Sequence, residues 1–279
     1  MVGHLRGLAL ALAAGLAMLA PPAWAGLKAT YVADLPKDMP KALNDMRMII
    51  YVDDAGHERI DIVANGTPTG SLISRDGDTY MIQRGADGAV TVSRQTDVML
   101  VSREQFLKVA ERFKLRSSDK GPPMIYKLVD LGPATVAGRT GTRYGLTRTS
   151  PPRETNPIFQ YVISTDPALA PLGRIMLRQL TVSAGVMDGV LPQGTNMVTL
   201  VAEILAKGAV LQMPGLIHLD TVETIDLDPK LFELPGPVET LDQVRARMKP
   251  LEMLPSDEAM DDMPSGKAPP AKAPSPAKP

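Results

Sequence analysis

The sequence predicts an α+β fold in which a curved antiparallel sheet, an incomplete β-barrel, is covered by helices. Short apolar runs alternate with polar residues and are joined by Asp/Gly turn chemistry. Amphipathic stretches opened by capping signals intervene between them. With no cysteine in the chain, a packed core rather than disulfides must hold such an architecture.

Taken in order, residues 27–32 form a first strand. Residues 47–52 and 58–63 flank Asp53-Asp54-Ala55-Gly56-His57 and make a hairpin, with Ile60 and Ile62 alternating against Arg59 and Asp61. The turn Arg75-Asp76-Gly77-Asp78 leads into a strand over 79–83, and Gly85-Ala86-Asp87-Gly88 turns into another over 89–92. Ser102-Arg103-Glu104-Gln105 reads as a capping box, followed by a helical stripe of Phe106, Leu107, Ala110 and Phe113. Strands are expected over 126–131, 135–137, 142–147 and 159–164, with Gly138-Arg139-Thr140-Gly141 as a turn. After Pro171 and Gly173 a helix spans 174–182, and Thr195 or Asn196 caps another through Lys207, terminated by Gly208. A long strand over 216–227 sets Ile217, Leu219, Thr221, Ile225 and Leu227 on one face. Thr240-Leu241-Asp242-Gln243 is a second capping box and opens the last helix.

Residues 1–25 have the pattern of a secretory signal. Arg6 supplies the positive start, 8–19 is uncharged and apolar, and Ala23-Trp24-Ala25 offers small residues for cleavage after Ala25. The apolar run is shorter than the roughly 20 residues that span a bilayer. The expected mature chain is periplasmic, with a single domain over 26–250 and no transmembrane span. Over 251–279 an acidic stretch (Glu252, Asp257, Glu258, Asp261, Asp262) passes into a Pro/Ala/Lys-rich tail expected to be disordered. A net charge of −1 without a basic, aromatic-rich face excludes nucleic acid as a partner.

The search for chemistry yields no catalytic motif and no cofactor signature. No Gly-x-Ser-x-Gly elbow or phosphate loop is present. His57 and His218 are the histidines outside the leader. His218 and Asp220 could pair as a base and its orienter on one strand face, although a solvated face explains them as well. Asp53, Asp54, His57, Glu58 and Asp61 could offer oxygen and imidazole ligands to a metal, yet hairpin turns favour the same residues. Asp76-Gly77-Asp78 lacks the further ligands of a calcium loop. The reading is therefore no enzyme, no metal and no cofactor. Methionine is frequent, 16 in all, and the aromatic fraction is 4%, so flexible thioethers fill gaps or line an adaptable apolar pocket. Met48, inward on its strand, is the candidate for lining such a pocket.

The order of three segments resembles a known group. They are Met46-Arg47-Met48-Ile49-Ile50-Tyr51 with Glu58-Arg59-Ile60-Asp61-Ile62, then Val136-Ala137-Gly138-Arg139-Thr140-Gly141-Thr142-Arg143-Tyr144, then Asp228-Pro229-Lys230-Leu231-Phe232-Glu233-Leu234-Pro235. Across 26–235 the chain resembles periplasmic proteins of the DUF4412 type and is similar to the wider LolA-like superfamily of lipoprotein carriers. That resemblance implies a half-barrel covered by helices and the binding of an apolar or amphipathic envelope ligand, a lipid or acyl chain. The alternative expectation is an envelope protein-interaction or sensing module that uses the sheet edge or the tail.

The leader yields the first prediction. Protein recovered from the periplasm should begin at Gly26, carry no covalently attached lipid and fluoresce as tyrosine alone, because Trp24 is the only tryptophan. Intact mass and an emission spectrum check this together, and a tryptophan band would overturn the cleavage position.

Overall fold

A computed structural model describes residues 25–36, 45–85, 87–112, 123–150, 157–187 and 194–248. The leader, the tail, Phe113 and Ala86 lie outside them. The strands are β1 (Ala25–Ala33), β2 (Arg47–Asp53), β3 (Glu58–Ala64), β4 (Thr67–Arg75), β5 (Asp78–Arg84), β6 (Val90–Arg94), β7 (Ile125–Val136), β8 (Arg139–Ser150), β9 (Phe159–Ser164), β10 (Ala209–Met213) and β11 (Ile217–Asp226). The helices are α1 (Gln95–Arg112), α2 (Ala170–Met187), α3 (Met197–Leu205) and α4 (Leu241–Arg247). All eleven strands join one curved, unclosed antiparallel sheet in the order β6-β5-β4-β3-β2-β1-β11-β10-β9-β8-β7.

Local chemistry sets the meander β1–β6. Asn65 and Gly66 both adopt positive φ (50° and 74°), as do Asp76 and Gly77 (53° and 85°), the conformations that two-residue hairpin turns demand. The sequence reading passed over β4 because Pro68 and Gly70 weaken a strand pattern. A register shift between Ile62 and Val63 takes up that irregularity, and β4 pairs along its length. The expected turn at 138–141 proves shorter: Ala137 and Gly138 turn, and β8 starts at Arg139.

Tertiary burial overrides several local signals. Helix α1 starts at Gln95, not Ser102, because Val98 and Val101 bury against Val244 of α4 and pull the helix seven residues upstream. Leu107, assigned to the apolar stripe, is 43% exposed. Helix α2 starts at Ala170 and runs through Gly173, where a Cβ would stand 2.5 Å from the Gly208 carbonyl oxygen. Gly173 is thus a site of close helix–strand approach and not a break. Helix α3 ends at Leu205, and the five residues of β10, unforeseen after Gly208, are buried over Ala209–Leu211. Asn196 sits at the N-cap but makes no capping bond. Its side chain accepts from the Tyr126 backbone N–H (2.8 Å) and donates to the Tyr126 carbonyl (3.0 Å), imitating a strand partner for β7.

The long strand also departs from expectation. A register shift at Thr30/Tyr31 leaves Asp220 without a β1 partner, so Tyr31 faces Leu219 but Ala29 faces Val222. The core side therefore changes from Leu219 to Val222 along β11, and Thr221, an expected core residue, is exposed.

One helix-covered face, here called inner, holds the main core. Ala29, Tyr31, Ile50, Ile60, Leu211 and Leu219 bury against Leu169, just before α2, and Leu172 and Ile175 in its first turns. A second core joins Tyr126, Leu146, Ile163 and Val210 to Ile204 and Leu205 of α3. Within the first, the buried Tyr31 hydroxyl donates to the Val210 carbonyl at 2.8 Å, and burial raises its pKa.

After β11 the chain forms a strap over the outer face. Asp228 caps a single turn over Pro229–Phe232. Arg59 and Arg75 donate to the carbonyls of Leu231 (2.9 Å) and Phe232 (3.2 Å), and the Phe232 ring lies 5.9 Å from that of His57. The strap reaches the sheet edge, where Val238 bridges Val92 and Glu239 N–H donates to the Val92 carbonyl. The capping box at Thr240 then opens α4, as the sequence predicts. Arg247 fixes the clasp by donating to Glu239, Ser93 and Gln83.

The Arg247 hydrogen bond, reinforced by Ser93, holds the Glu239 carboxyl below its ordinary pKa. A depressed carboxylate adds stability above the unfolded-state value of about 4.3 and loses it as pH falls through the folded value. Glu239→Gln should cost about 1–2 kcal/mol at neutral pH and flatten the acid limb of a stability–pH curve followed by urea denaturation. Wild-type and variant curves that stay parallel through the acid limb would contradict this.

Candidate functional site

The register of β2–β6 lays the inner-face residues of these strands in three rows that run across the strands. The middle row is Ile50, Ile60, Leu72, Met81 and Ser93. On one side of it lies Met48, Ile62, Gly70, Gln83 and Thr91, and on the other Val52, Glu58, Ser74 and Thr79. Rows are about 7 Å apart, two residues of strand rise.

Burial falls away along these rows. Ile50 is fully buried and Ile60 is 6% exposed, yet Leu72, Met81, Met48 and Ile62 are only half-buried. Leu72 and Met81 oppose each other directly but belong to different hydrophobic clusters. Leu72 packs with the main core under α2, whereas Met81 packs with Val98, Val101 and Val244 of α1 and α4. Two apolar clusters meet here over β4 and β5 without merging, and their boundary is called the seam.

The third row makes one end of the seam polar. Glu58, 9% exposed, forms an ion pair with Arg178 of α2. The Ser74 and Thr79 hydroxyls lie 2.9 Å apart beside it. Gln95, the first residue of α1 and 4% exposed, donates through Nε2 to Gln179 Oε1 at 2.8 Å. Three further buried atoms have no hydrogen-bond partner among the described residues: Gln95 Oε1, Gln179 Nε2 and Arg178 Nε. Burial lowers the Arg178 pKa from its ordinary value. Such orphaned groups each cost about 1–3 kcal/mol of desolvation when buried, so this end of the seam is chemically unfinished.

The residues singled out from sequence are distributed differently. Met48 is on the inner face, half-buried between Tyr31 and Ile62. The five residues weighed as metal ligands, from the turn and the start of β3, are dispersed. Asp53 is buried and accepts from His57 Nδ1 at 2.7 Å, Asp54 is exposed in the turn, Glu58 points inward to Arg178, and Asp61 accepts from Arg59 and Ser71. Alternation along β3 separates Glu58 from Asp61, and no group of three potential ligands assembles among the described residues. His218 and Asp220 share no hydrogen bond or ion pair, because the bulge at Asp220 breaks the alternation that would have set them on one face. Asp76 and Gly77 form a turn. Sequence reasoning missed Gln95, Arg178 and Gln179. For Glu58 a signal existed, since it shares the alternation of Ile60 and Ile62.

On the outer face a groove of about 370 Å³ separates the strap from the sheet. Arg59, Arg84 and Lys230 stand above an apolar floor that includes Ile82 and Leu234. A second hollow of about 280 Å³ lies where α2 and α3 meet the end of β9, beside Arg174 and Lys207. Comparison of the chain with protein-family models, curated proteins and solved structures returns no significant match.

The ion pair in the seam is testable. Removing one partner of a fully buried pair costs about 3–5 kcal/mol, and Arg178, two-fifths exposed, reduces that through solvent screening. Arg178→Met should therefore destabilise by about 1–3 kcal/mol, and Glu58→Leu added to it should restore most of the loss. A double variant no more stable than Arg178→Met, measured by chemical denaturation, would show that the two side chains do not act as a pair.

Proposed function

We propose that this is a non-catalytic periplasmic protein that binds an apolar or amphipathic envelope molecule, a lipid or acyl chain, between the sheet and helices α1 and α2. The observation that carries this reading is the half-buried run of Met48, Ile62, Leu72 and Met81 on the inner face. Here the core stops being continuous and two clusters share one sheet. A seam lined by flexible thioethers and aliphatic chains accepts guests of varied shape. The open antiparallel sheet supports the same reading, because the resemblance to LolA-like carriers implies such a half-barrel.

The interaction-module reading draws on a different feature. At the β6 edge, strap residue Val238 bridges Val92, whereas β7 beyond Tyr126 has no strand partner on its outer side among the described residues. Lys127, Asp130 and Pro133 on that strand oppose edge-to-edge pairing, and this favours the ligand reading.

Burial of about twelve methylenes is worth about 10 kcal/mol gross, and association costs leave affinity on the order of micromolar. An environment-sensitive fatty-acid probe should bind saturably and be competed by natural lipids. Met48→Trp and Leu72→Trp, which fill the seam, should each weaken it by about five-fold or more, roughly 1 kcal/mol. Probe binding no stronger than to an unrelated periplasmic protein would overturn the carrier reading.

A further inference from the structure

The polar row specifies the head of the ligand; this rests on the reading that an apolar molecule occupies the seam. Leu72 and Met81 stand two residues from Ser74 and Thr79 along β4 and β5, about 7 Å by strand rise. A chain laid across Leu72 and Met81 therefore brings one end to Glu58, Gln95, Arg178 and Gln179. Three kinds of end can be weighed against the groups found there.

A bare hydrocarbon leaves Gln95 Oε1, Gln179 Nε2 and Arg178 Nε without partners and adds nothing to satisfy them. A carboxylate meets a guanidinium that Glu58 already neutralises, so it gains little there for the hydration it loses. A neutral head carrying both a carbonyl and a hydroxyl matches what is unfilled. Its carbonyl accepts from Gln179 Nε2 and Arg178 Nε, and its hydroxyl donates to Gln95 Oε1. Exchanging O and N in both glutamine amides again leaves one donor and one acceptor, so the match survives either assignment. We propose that the seam is selective for a neutral, hydroxyl-bearing acyl ester of the monoacylglycerol kind, recognised by Gln95 and Gln179 with Arg178 held in place by Glu58.

The test is displacement of a bound fluorescent acyl probe by three twelve-carbon competitors, each below its aggregation threshold: 1-monolauroylglycerol, laurate at pH 8 and dodecane. Three added hydrogen bonds, largely offset by the head group's lost hydration, predict that the monoacylglycerol competes about ten-fold more strongly than either other compound. In Gln179→Leu its advantage should vanish while dodecane competes as before. Equal competition by all three in the wild-type protein, or laurate as the strongest, overturns the selectivity and leaves the carrier reading standing. A Gln179→Leu variant that weakens all three alike overturns it too, since that effect belongs to packing. If the probe itself does not bind, the carrier reading falls and takes this inference with it.

Discussion

The pairing of β1 with β11 is the constraint on which the rest of the molecule depends. The sheet is two meanders, β1–β6 and β7–β11, each built from neighbours in sequence, and they touch as strands only at this ladder. Its partners lie far apart in sequence, Ala25 opposite Asp226 and Ala33 opposite Ile217. Loop closure must be met before such contacts reward it, which makes this ladder slow to form. Once formed, it sets β10 one strand beyond β1's partner, and the Tyr31 hydroxyl reaches across to the Val210 carbonyl. The bulge in the same ladder rotates β11 so that Leu219 and Val222 both reach the core.

The helix layer inherits its gaps from this arrangement. Helix α2 lies close to β10 because Gly173 backs directly onto Gly208. Its early apolar residues are thereby committed to the β1–β3 core, while α1 follows β6 and is committed to α4. Leu72 and Met81, though opposite each other, are thereby drawn into different clusters. The seam follows from where the two helices are anchored, and the glutamines that bridge its end are a thin substitute for packing.

Much of the frame is legible in the residues. Asp76-Gly77 turns and the Thr240 capping box act locally, through φ preference and side-chain caps, so the sequence displays them. Helix α1 is different, because its start depends on Val244, nearly 150 residues away. Strand β4 hides behind Pro68 and Gly70, whose cost is absorbed by a bulge that only the partner strand reveals. The seam was the least visible part. Glutamine and arginine on helices read as a solvated face unless the opposing surface is known, and Gln95 and Gln179 become neighbours only through the contact of α1 with α2. Glu58 alone announced itself, by sharing the parity of Ile60 and Ile62.

The strap has a mechanical consequence. It grips the outer face through Arg59 and Arg75, rounds the β6 edge and ends in a helix fastened to α1 by Arg245 on Glu104. Helix α1 is thereby linked, through α4 and the strap, to both faces of the sheet. Helix α2 is tied differently: Arg178 holds it to β3, Gln179 to α1, and Met176, Leu177 and Leu180 pack it into the second core.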